Sequence, residues 1–164
     1  MLSNPMETAL NHQINAELES SYIYLAMAAY AEANNYPGAA AWLQAQAKEE
    51  LAHAMKFYGF VHDRGGRVTL QAIAQPATEY GSPVQLFETV LGHERKVTAL
   101  VHSLYELALA EKDYASIPLL QWFIAEQVEE EKTAEDVLRL LKTAGDSAHT
   151  LLFIDRELGK RQAE

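Results

Sequence analysis

Glu50-Leu51-Ala52-His53 sets a carboxylate and an imidazole three residues apart within a run of helix-forming residues. Residues at that spacing share a helix face, so both side chains can be aimed at one point. One such pair says little. Working outward, Glu17, Glu94 and the Gln127/Glu130 pair each interrupt the apolar stripe of a separate expected helix. Burying an unpaired carboxylate is costly, and the usual escapes are a partner charge or a metal ion. Acids from four helices converging on one core point to an all-α bundle with a cation-binding interior.

At 164 residues the chain reads as one domain, 1–164, long enough to bury a substantial core. Hydrophobic residues make up 49%, and the mean hydropathy of -0.18 is ordinary for a soluble protein. The net charge of -10 argues against nucleic-acid or anionic-membrane partners and suits cations as ligands. No cysteine is present, which excludes disulfides, thiolate-ligated zinc, iron–sulfur clusters and a rubredoxin-like module. Met1-Leu2-Ser3-Asn4-Pro5 begins no signal peptide, and no apolar run approaches the ~20 residues of a membrane span. A cytoplasmic location is the expectation, with any metal held by oxygen and nitrogen.

Five helices are expected, approximately 5–34, 37–64, 83–111, 114–143 and 147–158. The first follows Asn4-Pro5 and carries Leu10, Ile14, Glu17, Ser21, Tyr24 and Ala28 on its inward stripe. Pro37 opens the second, whose stripe reads Trp42, Gln46, Glu50, His53, Phe57, Phe60, and Arg64-Gly65-Gly66-Arg67 stops it. Residues 66–82 show no helical pattern, and a connection that long can span a bundle end to end, so helices two and three can run parallel. The third stripe is Phe87, Val90, Glu94, Val97, Val101, Leu104, Ala108; the fourth is Leu120, Phe123, Gln127, Glu130, Ala134, Val137, Leu141. Asp113 is the expected N-cap of the fourth helix, although Pro118 would then delete a hydrogen bond; a start at Ser116, or a kink, removes the conflict. Gly145 ends that helix and Asp146 can cap the fifth, whose run Leu151-Leu152-Phe153-Ile154 calls for burial.

Four carboxylates and one imidazole suit iron(II), manganese or zinc. Glu50, opposite both Glu17 and Glu94, is the natural bridge between two ions, with Glu17 and His53 completing one shell and Glu94 with Glu130 the other. Di-iron and di-manganese bundles carry Glu-x-x-His on two helices. Here Gln127-x-x-Glu130 stands in place of the second motif, so the second ion lacks an imidazole and is expected to bind more weakly and leave after oxidation. Glu49, Glu126 and Glu129, with Glu130, could hold a third ion; the run 129–131 reads equally as a solvated face. Tyr24 is near enough to hydrogen-bond a ligand or donate an electron, or is a core aromatic with its hydroxyl satisfied. Trp122 reads as structural, and His12, His62, His93, His102 and His149 form no constellation.

At these residues the chain resembles the bacterial non-haem ferritins. The likeness runs through Asn15-Ala16-Glu17 with Tyr24, Lys48-Glu49-Glu50-Leu51-Ala52-His53, His93-Glu94 and Gln121 to Glu131, then the short last helix. The resemblance implies a ferritin-like four-helix bundle with a long crossover between helices two and three and a short fifth helix at a four-fold axis. It also implies a homo-oligomeric cage of 24 subunits. It implies a ferroxidase centre with Glu17, Glu50 and His53 at the first iron and Glu50, Glu94 and Glu130 at the second. Gln127 lies beside that centre, Glu49, Glu126 and Glu129 add a third site, and Tyr24 is the nearby tyrosine. Bacterioferritin differs in two places: its haem-ligating Met stands where this chain has Leu51, and its fourth-helix His where this chain has Glu130. No haem is expected.

The function so implied is iron storage and detoxification, with Fe²⁺ oxidised by O₂ or H₂O₂ and the ferric product mineralised inside the cage. Rival readings are a rubrerythrin-like peroxidase or manganese catalase, a metal-free helical scaffold, and a miniature twelve-subunit cage protein.

Overall fold

Serine caps and first-turn prolines set where the first and third long helices begin. In the computed structural model of the chain, which describes residues 2–145 and 147–161, α1 spans Asn4–Ala33, α2 Pro37–Asp63, α3 Pro83–Ala110, α4 Ile117–Ala144 and α5 Ala148–Leu158. Ser3 accepts a hydrogen bond from the Met6 amide ahead of α1, and Ser82 forms a reciprocal capping box with Gln85 ahead of α3. A proline in the first turn loses nothing, because that N–H would have no helical partner.

The fourth helix starts later than its expected 114. Ser116 occupies the N-cap position, so Pro118 falls in the tolerated first turn. Asp113 caps nothing there. Its carboxylate accepts from Ser116 Oγ at 2.6 Å and pairs with Arg64 at 2.7 Å, tying the end of α2 to the start of α4.

The crossover 64–82 is pinned along α1. Asn11 donates to the Arg67 carbonyl and accepts from the Thr69 amide, Asn15 accepts from the Gln71 amide, and Tyr30 donates to the Gly81 carbonyl. These contacts climb α1 from its first turns to its last. The chain is thereby delivered to the end where α2 began, and α3 runs parallel to α2. The short links 34–36 and 111–116 make α1/α2 and α3/α4 antiparallel hairpins.

The apolar interior is split. One cluster gathers Tyr24, Met27, Trp42, Leu43, Phe87 and Leu141; the other gathers Leu10, Ile14, Phe57, Val101, Leu120 and Phe123. Between them lies a layer of buried polar side chains, one stretch per helix: Glu17 and Ser20, Gln46 to His53, Glu94, and Gln127 with Glu130. Two stripe positions shift from expectation. Ser20 is fully buried whereas Ser21 is half-buried and donates to the Ala47 carbonyl, and Phe60 is only partly buried.

Ser147 caps α5 by accepting from the Thr150 amide; the expected cap Asp146 lies outside the described residues. Within α5, Ile154 and Leu158 join the first apolar cluster, while Leu152 and Phe153 stay exposed in the single chain. Asp155 fixes the helix in place. Its buried carboxylate accepts from the Gly38 and Ala39 amides at 2.9 and 2.8 Å, capping the positive end of α2, whose own N-cap residue Tyr36 supplies no side-chain bond. Only glycine fits at 38, because an added Cβ would sit 1.6 Å from the Asp155 carbonyl oxygen.

Candidate metal centre

Each of the four long helices sends a carboxylate into the polar layer. Glu17 from α1 is 1% exposed; Gln13, one turn earlier, donates to its Oε1 at 2.8 Å, and its Oε2 is buried with no hydrogen-bond partner among the described residues. Glu50 from α2 accepts from Gln46 Nε2 at 2.9 Å and faces His53 Nδ1 at 3.5 Å. Glu94 from α3 accepts from the Tyr24 hydroxyl on one oxygen and from Gln127 Nε2 at 3.2 Å on the other. Glu130 from α4 accepts from the same Gln46 amide at 2.9 Å.

So much buried acid disturbs every protonation equilibrium. Burial, then repulsion from Glu50, raises the Glu17 carboxyl well above its ordinary range. Burial also pushes against ionised Glu50, but hydrogen bonding and charge from His53 outweigh it and hold Glu50 below the usual value. The Glu17–Glu50 pair thus keeps its proton on Glu17. Burial disfavours the His53 cation, yet the Glu50 hydrogen bond and the surrounding acids raise its pKa. Glu94 and Glu130 are each pushed up to about 8, by burial first and by neighbouring carboxylates second. Burial and Glu94 raise the Tyr24 hydroxyl well above its normal range, so it remains a donor. The layer holds acids in excess of positive charge, which is the chemistry of a cation site.

The geometry groups these side chains in two sets. Ligand atoms of Glu17, Glu50 and His53 lie within 4.8 Å of one another, and so do those of His53, Glu126 and Glu130. The first set is the trio expected around one ion. In the second, Glu130 stands with His53 and Glu126 rather than with Glu94, which Tyr24 and Gln127 hold aside. Glu49 and Glu129 belong to neither set: Glu49 is buried and ion-paired with Arg161, and Glu129 is exposed. All three flanking acids border a cleft of about 890 Å³ that opens from His53 between α2, α4 and the end of α5.

Several side chains without an expected role help to build the pocket. Gln46 bridges Glu50 and Glu130, and its Oε1 is buried with no hydrogen-bond partner among the described residues. Its position one turn before Glu50 was the available signal. Thr98 accepts from Gln127 at 3.3 Å. His93 bonds Ser20 Oγ at 2.8 Å and meets the Tyr24 ring edge-on at 5.6 Å, with burial keeping the imidazole neutral. Trp122 and Phe123 wall His53 edge-on, at 5.6 and 5.5 Å between centroids. His12 touches Gln71 and His62 meets the Tyr58 ring edge-on, both away from the layer.

The family model for a ferritin-like domain matches residues 7–144. Bacterial non-heme ferritin from Staphylococcus epidermidis is 42% identical over 161 residues, 98% of this chain and 97% of that protein. The Bacteroides fragilis protein of the same name is 41% identical over 98% of this chain and 100% of its own length. Among solved structures, an engineered closed form of the Archaeoglobus fulgidus ferritin superposes with TM-score 0.98 at 48% identity, covering 100% of both chains. The open-pore ferritin of that archaeon gives 0.97 at 48% identity, covering 98% of each.

Proposed function

This chain belongs to the ferritin family, and on that premise we propose that it oxidises Fe²⁺ in the polar layer and stores the ferric product inside a protein shell. The observation that carries the reading is the convergence of Glu17, Glu50 and His53, whose buried ligand atoms lie within 4.8 Å of one another. So many acids in one buried layer are costly to ionise together, and a cation offsets that cost.

Iron is the substrate here. Glu17, Glu50 and His53 receive one Fe²⁺; Glu50, Glu94 and Glu130 receive the second, with Glu50 between them. Each ion gives up one electron, and O₂ or H₂O₂ takes both. Hydrolysis of the ferric product releases its protons to solvent. Carboxylate oxygens favour Fe³⁺ over Fe²⁺ as charge develops. Tyr24, bonded to Glu94, is placed to supply a further electron. The second ion competes with Tyr24 and Gln127 for Glu94 and has no imidazole of its own, so it binds more weakly and leaves after oxidation. Glu49, Glu126 and Glu129 with Glu130 form the third station, on the path from the pair into the cleft. The reading includes a homo-oligomeric shell of 24 subunits in the cytoplasm, as the resemblance to the bacterial non-haem ferritins implies. Among the described residues no helix is long and apolar enough to cross a membrane.

Stopped-flow oxidation tests this. Glu50→Ala and His53→Ala are expected to slow Fe²⁺ oxidation by at least about a hundredfold, with the shell still assembled by size exclusion. Unchanged kinetics in both variants would remove the site assignment.

A further inference from the structure

Gln46 lies on α2 one turn before Glu50 and is wholly buried. Its amide nitrogen serves two acids at once: Nε2 donates to Glu50 Oε1 on its own helix and to Glu130 Oε2 on α4, each at 2.9 Å. The other end of the amide gains nothing. Oε1 is buried with no hydrogen-bond partner among the described residues. A buried acceptor left unpaired is costly, and an apolar side chain of the same length would fill the space without that cost. Packing therefore does not account for an amide here; its N–H pair does.

The N–H pair acts on Glu130. Among the described residues this carboxyl accepts a single hydrogen bond, the one from Gln46. Its other neighbours face the cleft: a Glu130 oxygen lies within 4.8 Å of ligand atoms of His53 and Glu126, and all three side chains line that cavity. Glu130 thus stands between the cleft and the bridging acid, and Gln46 ties it to the latter. An amide suits this task. It is uncharged, so it gathers two acids without adding a cation to compete with an incoming ion, as a lysine or arginine would. We propose that Gln46 is a positioning residue for the second iron: it draws Glu130 from the cleft to Glu50, so that both acids are presented together when the ion arrives. This rests on the polar layer being an iron centre.

Anaerobic calorimetric titration of the assembled protein with Fe²⁺ tests the role. Gln46→Met keeps the length of the side chain and removes both N–H groups; Gln46→Asn keeps the amide and withdraws it by one methylene. In each, the second ion is expected to bind about tenfold more weakly than in the unaltered protein, with the first ion's affinity retained. In a Glu130→Ala background Gln46→Met should cost the second ion nothing further. A crystal structure of metal-free Gln46→Met should show the Glu130 carboxyl turned to the cleft. Glu130 still beside Glu50 in that structure, an unchanged second ion, an equal loss at both ions, or a loss that survives Glu130→Ala overturns the proposal. Absence of any tight Fe²⁺ binding by the unaltered protein overturns the iron centre, and the Gln46 role with it.

Discussion

With Glu94 and Glu130 both pushed up to about 8, the empty pocket holds protons at neutral pH that an entering cation must displace. Apparent affinity at the second station is therefore expected to fall about tenfold per displaced proton for each pH unit below 8. The same shifts govern stability. Both carboxyls titrate higher in the folded chain than their ordinary 4.5. Their contribution is complete below 4.5 and lost as pH rises through 8. Metal-free protein should melt at lower temperature near pH 8.5 than near pH 6, and Glu130→Gln should flatten that slope; a melting temperature that holds steady in both would contradict it. The acids and His53 were legible in the sequence because a charge in an apolar stripe has no bland reading when four helices repeat it. Gln46 was less so. An amide at a stripe position looks like a boundary residue until Glu130, 84 positions away, is found on its nitrogen. Ser20 and Ser21 were exchanged because small phase errors accumulate along a 30-residue helix.

Helix boundaries follow local chemistry wherever a cap or proline marks them, as at Ser3, Ser82 and Pro118. Asp113 misled because its carboxylate serves Arg64 across the bundle, and a cap candidate is read only from its neighbours. The placement of α5 lay beyond any local signal: Asp155 and Gly38 are 117 positions apart. That contact gives an element-scale prediction. Gly38→Ala forces a Cβ against the Asp155 backbone and should cost about 1–3 kcal/mol. Asp155→Ala should cost roughly 1 kcal/mol by uncapping α2. Chemical denaturation checks both, and the Gly38 variant should also raise hydrogen exchange across 148–158. Wild-type stability in both variants would show that α5 is held by Ile154 and Leu158 alone.

At the scale of the molecule, apolar side chains remain on the outside. Leu152 and Phe153 on α5 are 59% and 60% exposed, and Tyr22, Leu25, Leu51 and Met55 are exposed on α1 and α2. Exposed apolar side chains on α5 are candidates for contacts between chains. Phe153→Asp is expected to shift the size-exclusion profile toward smaller assemblies without loss of helix content; an unaltered profile would free α5 from any part in the shell. Under the proposed function, the bundle seats a pair of ions where its two apolar clusters part. Anomalous diffraction from crystals soaked anaerobically in ferrous salt tests that most directly. Two iron peaks per subunit, bridged by Glu50 with His53 on one side, are the predicted result; a polar layer with no peak, its acids saturated by protons and water, would contradict it.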